Sequence, residues 1–473
     1  MTRRHAWISA GLAGSTTALI AATAVPAAAV PAAPHGPKNV IVLIGDGMGY
    51  NQAAEASLYE NGTSSKQVAT DPATGAVTEV QGTPSQAHES FPVQVDMQTF
   101  ASGGSYDPQQ VWTDFDYVKN GATDSGAAGT AMATGVKTYN GGIGVDPAGN
   151  EIENISERAI SMGKAAGVVS SVPFSHATPA AYAVHDESRN NYHAIADKEL
   201  ASELSVVMGA GHPYYDDDNQ PLETPAYDYI SSGSYEALAA GQTEWSFVED
   251  GADFEALTAG DAPEKVFGVA QVGSTLQQGR AGASGQPYGD PLNEVPSLAT
   301  MTAGALNVLD GDEDGFSLMV EGGAIDWAGH ANDSARNIEE TLAFNDAVDT
   351  VVDWVEENSS WKETLVVVTA DHETGYLEGP GADPAWSTLD GASGAVPAGS
   401  WNSGGHTNML VPVYAKGAGA KELDRRARMT DPVRGAYLDN TDLANLLLED
   451  LWAEGPGASA GNGSPRGREM AGR

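Results

Sequence analysis

Residues 40–49 read VIVLIGDGMG. Five aliphatic residues follow one another with no polar residue between them. A strand with one wet face would alternate, so this run suits a strand buried on both faces. Asp46 comes next, between Gly45 and Gly47, with Gly49 close behind. Glycines let the backbone turn sharply and leave room beside the carboxylate. The same grammar recurs three times. Residues 167–170 (GVVS) lead towards His176 and Thr178, residues 316–320 (FSLMV) lead into Glu321, and residues 365–369 (LVVVT) lead into Asp371 and His372. Between such runs, Phe344, Val348, Val351 and Val355 recur as one helix face would. Alternating buried strands and helices predict an α/β three-layer sandwich, with a large, mostly parallel central sheet flanked by helices. Ligands of such sheets sit beyond the carboxyl ends of the strands, where all four groups of polar residues fall.

The chain has 473 residues, enough for a sizeable core, and no cysteine. Disulfides and thiolate metal sites are thereby excluded, and any metal is held by oxygen and imidazole nitrogen. Arg3 and Arg4 precede an uncharged Ala/Gly/Thr-rich run that ends in Ala27-Ala28-Ala29. This predicts a signal peptide over residues 1–29 and an exported, secreted or extracytoplasmic protein. The arginine pair leaves the twin-arginine and general routes both open. No later run reads as transmembrane. The net charge of −41 argues against nucleic-acid binding and fits a solvated acidic surface. Residues 30–453 are expected to form the α/β domain, with residues 205–296, rich in Gly, Asp, Tyr and Pro, as an irregular crown insertion. Asp216, Asp217 and Asp218 there suit a solvated loop better than a calcium site. Residues 454–473 read as a disordered tail.

The chemistry-bearing residues are ambiguous one at a time. Asp46 equally suits a helix cap, and Asp371-His372 a turn. Asp326 and His330, four apart, lie on one face of a helix, as zinc ligands or as a stabilising pair. His406, in a Ser-Gly-Gly-His-Thr loop, is ordinary by itself. Their gathering at one sheet edge is what favours a metal centre. Ser125 sits in GATDSGAAGTAMATG (121–135), at the start of a predicted short helix over 126–134. Such a serine either caps the helix or is a nucleophile beside its positive end. A serine nucleophile needs a base or a metal to become reactive.

Together the motifs resemble the alkaline phosphatases over nearly all of the chain after the leader. The matching pieces are VIVLIGDGMG (40–49), TDSGAAGTAMATGVKTYNGGIGVD (123–146), HATPAA (176–181), VEGGAIDWAGH (320–330), VTADHETG (368–375) and SGGHTNM (403–409). The resemblance implies hydrolysis of phosphate monoesters through a phosphoserine on Ser125. It implies one zinc held by Asp326, His330 and His406, and a second held by Asp46, Asp371 and His372 with the Ser125 oxygen. A third metal, usually magnesium, would be bridged by Asp46, with Thr178 and Glu321. Arg189 would clamp the phosphate and Asp124 would orient that arginine. His176 and Trp327 stand where other members carry aspartate, lysine or histidine; this variant opens the third site to zinc or cobalt as well as magnesium. Three dications outweigh the carboxylates in such a pocket, so an anion is attracted despite the acidic surface. The family is often dimeric, which makes a homodimer an expectation. A phosphodiesterase or sulfatase of the same metalloenzyme superfamily is the alternative reading.

Overall fold

The structure, a computed structural model, describes residues 36–453 apart from residue 283. The expected leader and tail lie outside the described residues.

Eleven strands form one sheet. In chain order they are β1 (Asn39–Gly45), β2 (Val93–Gln98), β3 (Ala165–Pro173), β4 (Val206–Ala210), β5 (Ser246–Val248) and β6 (Val266–Val269), then β7 (Phe316–Gly322), β8 (Thr364–Thr369), β9 (Val411–Gly417), β10 (Met429–Asp431) and β11 (Gly435–Asp439). Their order across the sheet is β10-β11-β2-β9-β8-β1-β7-β3-β4-β6-β5. The centre, β8-β1-β7-β3, is wholly parallel. Antiparallel pairs occur only where β9 joins β8 and β2 and where β10 joins β11. The aliphatic run of β1 is fully buried, as its unbroken hydrophobicity requires. Each such side chain removed from water contributes about 1.5–3 kcal/mol.

Register sets the site. Ile44 pairs with Thr369 on one side and Glu321 on the other, and Glu321 pairs with Ser170. Asp46 and Asp371 each lie two residues beyond a paired position, so Asp46, Glu321 and Asp371 reach the same edge.

Helices flank the sheet. Those that position the site are α1 (Tyr50–Asn61), α2 (Ser125–Thr134), α3 (Ala177–Ala183), α4 (Leu298–Leu309), α5 (Ala324–Ala331) and α6 (Ser334–Asn358). Helix α6 packs on α1 and α4, burying Phe344, Val348, Val351 and Val355 as their spacing predicts. Helix α2 is buried along its whole length and packs on α3. A Cβ on Gly129 would come within 3.2 Å of Ala181 Cβ, so small side chains are what let these two helices touch.

The reading of residues 205–296 as a crown beside the sheet needs correction. This segment supplies β4, β5 and β6, one whole edge of the sheet. These strands are three to five residues long, and apolar runs that short do not stand out among glycines and aspartates. Its later part, around residues 270–296, is the irregular portion. There Asp217 and Asp218 accept backbone hydrogens from Ser274 and Ala281, and Asp216 closes its own turn through the amides of Asp218 and Gln220. These carboxylates tie loops together.

Candidate active site

Asp46 leaves β1 through a tight turn in which Gly47 has φ +72°. A Cβ at Gly47 would lie 2.8 Å from both Asp326 Cα and Thr374 Oγ1, so glycine is required by conformation and by space. The Gly47 amide donates to Asp371 Oδ1 at 3.1 Å, which ties the ends of β1 and β8 together. Helix α5 begins just after β7. Its first amides, Gly323 and Ala324, donate to Ser171 Oγ at 2.9 and 3.4 Å, so a β3 side chain satisfies its N-terminus. Asp326 and His330 then share one face of α5, as their spacing predicts.

Ser125 is the first residue of α2. Its neighbour Asp124 is the cap, and Asp124 Oδ1 accepts from Ala127 N at 2.9 Å. The Ser125 hydroxyl is therefore free of capping duty. Ser125 Oγ lies 3.2 Å from His372 Nε2.

Two groups of ligand atoms converge here. In one, Asp46, Asp371 and His372 face one another: His372 Nε2 lies 3.5 Å from Asp46 Oδ1 and 3.2 Å from Asp371 Oδ2. In the other, His406 Nε2 lies 3.3 Å from Asp326 Oδ1, and His330 Nε2 lies 3.4 Å from Asp326 Oδ2 and 3.1 Å from His406 Nε2. His372 also comes within reach of Asp326 and His406, its ring stacked on His406 at 3.6 Å between centroids. His330 is the half-exposed member, at the cleft mouth.

These contacts demand cations. His330 Nδ1 meets the Gly404 carbonyl and His406 Nδ1 the Thr123 carbonyl, each at 2.8 Å. Only an N–H can make such a bond, so in the neutral rings both Nε2 atoms are lone pairs facing each other and a carboxylate. Thr374 Oγ1 donates to Asp326 Oδ1 at 2.5 Å and lies 3.2 Å from His372 Nδ1, which leaves His372 Nε2 in the same position. Asp46 Oδ1, Asp371 Oδ2 and Glu321 Oε1 are buried with no hydrogen-bond partner among the described residues. Burial, followed by the charges of Asp371, Asp326 and Glu321, drives the Asp46 carboxyl well above its usual range. Burial pushes Glu321 up to about 7 and Asp371 up to about 6. Burial holds His372 well below the usual imidazole value. Burial opposes a proton on His406 as well, but the bond to Asp326 wins and raises it to about 9. A proton can thus serve beside Asp326, whereas the Asp46 group has no protonated histidine to offset its carboxylates. Oxygen and imidazole donors in threes suit divalent ions such as zinc, so the residues present fit a centre with more than one metal.

Glu321 and Thr178 stand on the far side of Asp46. Thr178 Oγ1 lies 3.5 Å from Asp46 Oδ2, and Ser170 Oγ donates to Glu321 Oε2. Opposite, Arg189 Nη1 donates to Asp124 Oδ2 at 2.9 Å, and Nη2 lies 3.5 Å from His176 Nε2. Burial, then Arg189, lowers His176 to about 3, so this imidazole is neutral. Its ring meets Trp327 edge-on at 5.7 Å. The cleft above encloses about 540 Å³, with Ser125, Arg189, His176, Trp327 and Gln278 in its walls.

Asp46, Asp124, Ser125, His176, Thr178, Arg189, Glu321, Asp326, Trp327, His330, Asp371, His372 and His406 thus lie in one constellation, and Asp216, Asp217 and Asp218 lie outside it. Thr374, Ser170, Ser171 and Gln278 were missed. Thr374 lies inside the VTADHETG motif, and its place two residues after His372 was the available signal. The two serines are hidden in an apolar strand, and nothing local marks Gln278.

The family described as Alkaline phosphatase matches residues 37–390. Alkaline phosphatase 3 of Bacillus subtilis is 33% identical over 346 residues, 72% of this chain and 61% of that relative. The chain therefore spans less than two thirds of that relative's length. Alkaline phosphatase 4 of the same organism is 28% identical, over 70% of this chain and 76% of the relative. The structure of alkaline phosphatase from the Antarctic bacterium TAB5 shares the fold, with TM-score 0.58 at 24% identity, over 87% of this chain and 97% of that one. With the sheet, the cation-demanding donor sets and this match taken together, the chain belongs to the alkaline phosphatase family.

Proposed function

We propose that this chain, a phosphatase by family, hydrolyses phosphate monoesters of broad structure through a covalent phosphoserine on Ser125. The observation that carries the reading is the meeting of Ser125 Oγ, two triads of metal-binding donors and the Arg189 guanidinium in one cleft. Asp326, His330 and His406 would hold one zinc, and Asp46, Asp371 and His372 a second. Asp46, Thr178 and Glu321 would hold a third ion, magnesium or, given His176 and Trp327, zinc or cobalt. A histidine-to-glutamate variant of the TAB5 enzyme is described with Mg bound in its M3 site. Bound there, the cations neutralise phosphoryl charge and favour the ionised serine.

The chain's own residues do the rest. Asp124 holds Arg189 across the cleft from Ser125, ready to take two phosphate oxygens in a planar fork. The amino end of α2 stabilises negative charge developing at Ser125 Oγ. Oγ attacks phosphorus, the ester P–O bond breaks, and the alcohol leaves. Water then attacks the phosphoserine, which restores the hydroxyl and releases phosphate. The volume of the cleft, about 540 Å³, supports broad alcohol specificity. A leader directing export is proposed on the basic pair and uncharged run within residues 1–29, and a homodimer on family grounds; among the described residues no helix is long and apolar enough to cross a membrane. Rates on p-nitrophenyl phosphate and its bis-ester test the reading. A monoester preference of at least about a hundredfold is expected, because the monoester carries the extra charge that Arg189 and the cations meet. Preference for the diester or for a sulfate ester would replace it with the superfamily alternative.

A further inference from the structure

A second cavity lies behind the wall of the catalytic cleft. It encloses about 250 Å³, below the range of about 300–1,000 Å³ usual for drug-sized ligands. Leu276, Leu292, Val295, Pro296 and Leu298 give it an apolar lining, and Tyr288 stands at its edge. Tyr288 and Leu292 are half exposed, and both belong to the few large apolar side chains among the described residues that face solvent so openly. Two such residues at one cavity mark it as a place where apolar matter can be covered.

The charged part of the lining is acidic. Glu339, Glu340 and Asp346 contribute to it, and no lysine, arginine or histidine does. Glu339 is already neutralised, since Arg280 and Arg336 both bind it, at 2.8 and 3.0 Å. Glu340 is different. It is 4% exposed, yet its Oε1 has no hydrogen-bond partner among the described residues. A buried carboxylate oxygen without a donor is costly unless a donor arrives. Burial, followed by the charge of Glu339, raises the Glu340 carboxyl to about 8 although Arg280 and Arg336 pull it down, so near neutrality it carries a proton that a bound cation would displace.

We propose that this cavity binds a small hydrophobic amine, its ammonium hydrogen-bonded to Glu340 and its apolar body covered by Leu276, Leu292 and Val295. The site is separate from the phosphate-binding cleft but touches its wall. Leu276 and Gln277 line the cavity, Gln278 lines the catalytic cleft, and the Gln278 backbone amide lies against the Glu340 carboxylate. An amine held on Glu340 therefore fixes the strand of chain that carries Gln278.

The test is calorimetric titration of the intact metal-loaded protein with phenethylamine, in saturating inorganic phosphate to keep the catalytic cleft filled. One saturable site is expected, with phenethyl alcohol, the neutral analogue, binding at least about tenfold more weakly. Glu340→Gln should lose the preference for the amine. Leu292→Arg, at an exposed position that folding does not depend on, should weaken the amine by a similar factor through a like charge at the mouth. Equal affinity for amine and alcohol, absence of saturable amine binding, or unchanged binding in Leu292→Arg would overturn the proposal.

Discussion

Asp124 Oδ2 sits 2.9 Å from Arg189 Nη1, while its Oδ1 takes the amide hydrogens of Ala127 and Gly141 at 2.9 and 3.0 Å. One carboxylate thus caps the nucleophile's helix and aims the phosphate-binding arginine. Asp124→Ala removes both functions. It should cost about 1 kcal/mol of stability through the lost cap and raise the inhibition constant for phosphate by about tenfold or more. Asp124→Asn can still accept the amide hydrogens, so it should keep most of the melting temperature while weakening phosphate. Native phosphate inhibition in Asp124→Asn would mean that the cap, and not the hold on Arg189, is what matters.

Ser125→Ala should fold normally, because Asp124 supplies the cap and alanine suits the helix. Turnover should fall by at least about a thousandfold. Intact-protein mass spectrometry after an acid quench should show a phosphate adduct in the native chain and none in the variant. A persistent adduct would move the nucleophile elsewhere.

Gly47 can be tested by a single methyl. Its φ of +72° and the 2.8 Å approach of Asp326 Cα leave no room for one. Gly47→Ala should destabilise by about 1–3 kcal/mol and displace Asp46 and Asp326 together. Metal content measured alongside the melting curve should fall with stability. A variant with native metal content would show that the turn can relax.

Much of the fold was legible because the central strands announce themselves. Residues 40–44, 316–320 and 365–369 are largely apolar runs, and each leads to a carboxylate that cannot stay in a core without a partner. The sheet edge formed by β4, β5 and β6 was not legible, since strands of three to five residues take their identity from pairing with a neighbour and not from their own pattern. At the site, the residues with ligand chemistry could be found, but their supports could not. Thr374 is ordinary until its hydroxyl is seen between Asp326 and His372. Ser171 matters only because the amides of a helix 150 residues later point at it.

The buried carboxylates make stability depend on pH in opposite ways with and without metal. Without metal, Asp371 and Glu321 have folded-state values of about 6 and about 7, above their ordinary 3.8 and 4.5. A group raised in this way contributes stability below its unfolded value and loses it as pH rises through the folded one. Chelated protein should therefore lose melting temperature between about pH 4 and 7. Metal-loaded protein should gain over the same range, because cations compete with protons for those oxygens. Parallel pH profiles for the two forms would contradict this.

His176 faces Arg189 as a neutral ring, held near 3 by burial and by that arginine. His176→Asp places a carboxylate two residues before Thr178, a member of the third donor group. Magnesium retained after gel filtration should rise, and zinc should compete less well for that site. Unchanged metal ratios would remove His176 from any part in choosing the ion.

The central claim is that cations at the rim of the sheet activate Ser125. Elemental counting on active protein, combined with monoester turnover before and after chelation, tests it most directly. The account predicts at least two divalent ions per chain, loss of turnover and of the Ser125 phosphate adduct together on chelation, and recovery of both with zinc. Full turnover by protein carrying less than one divalent ion per chain would contradict it.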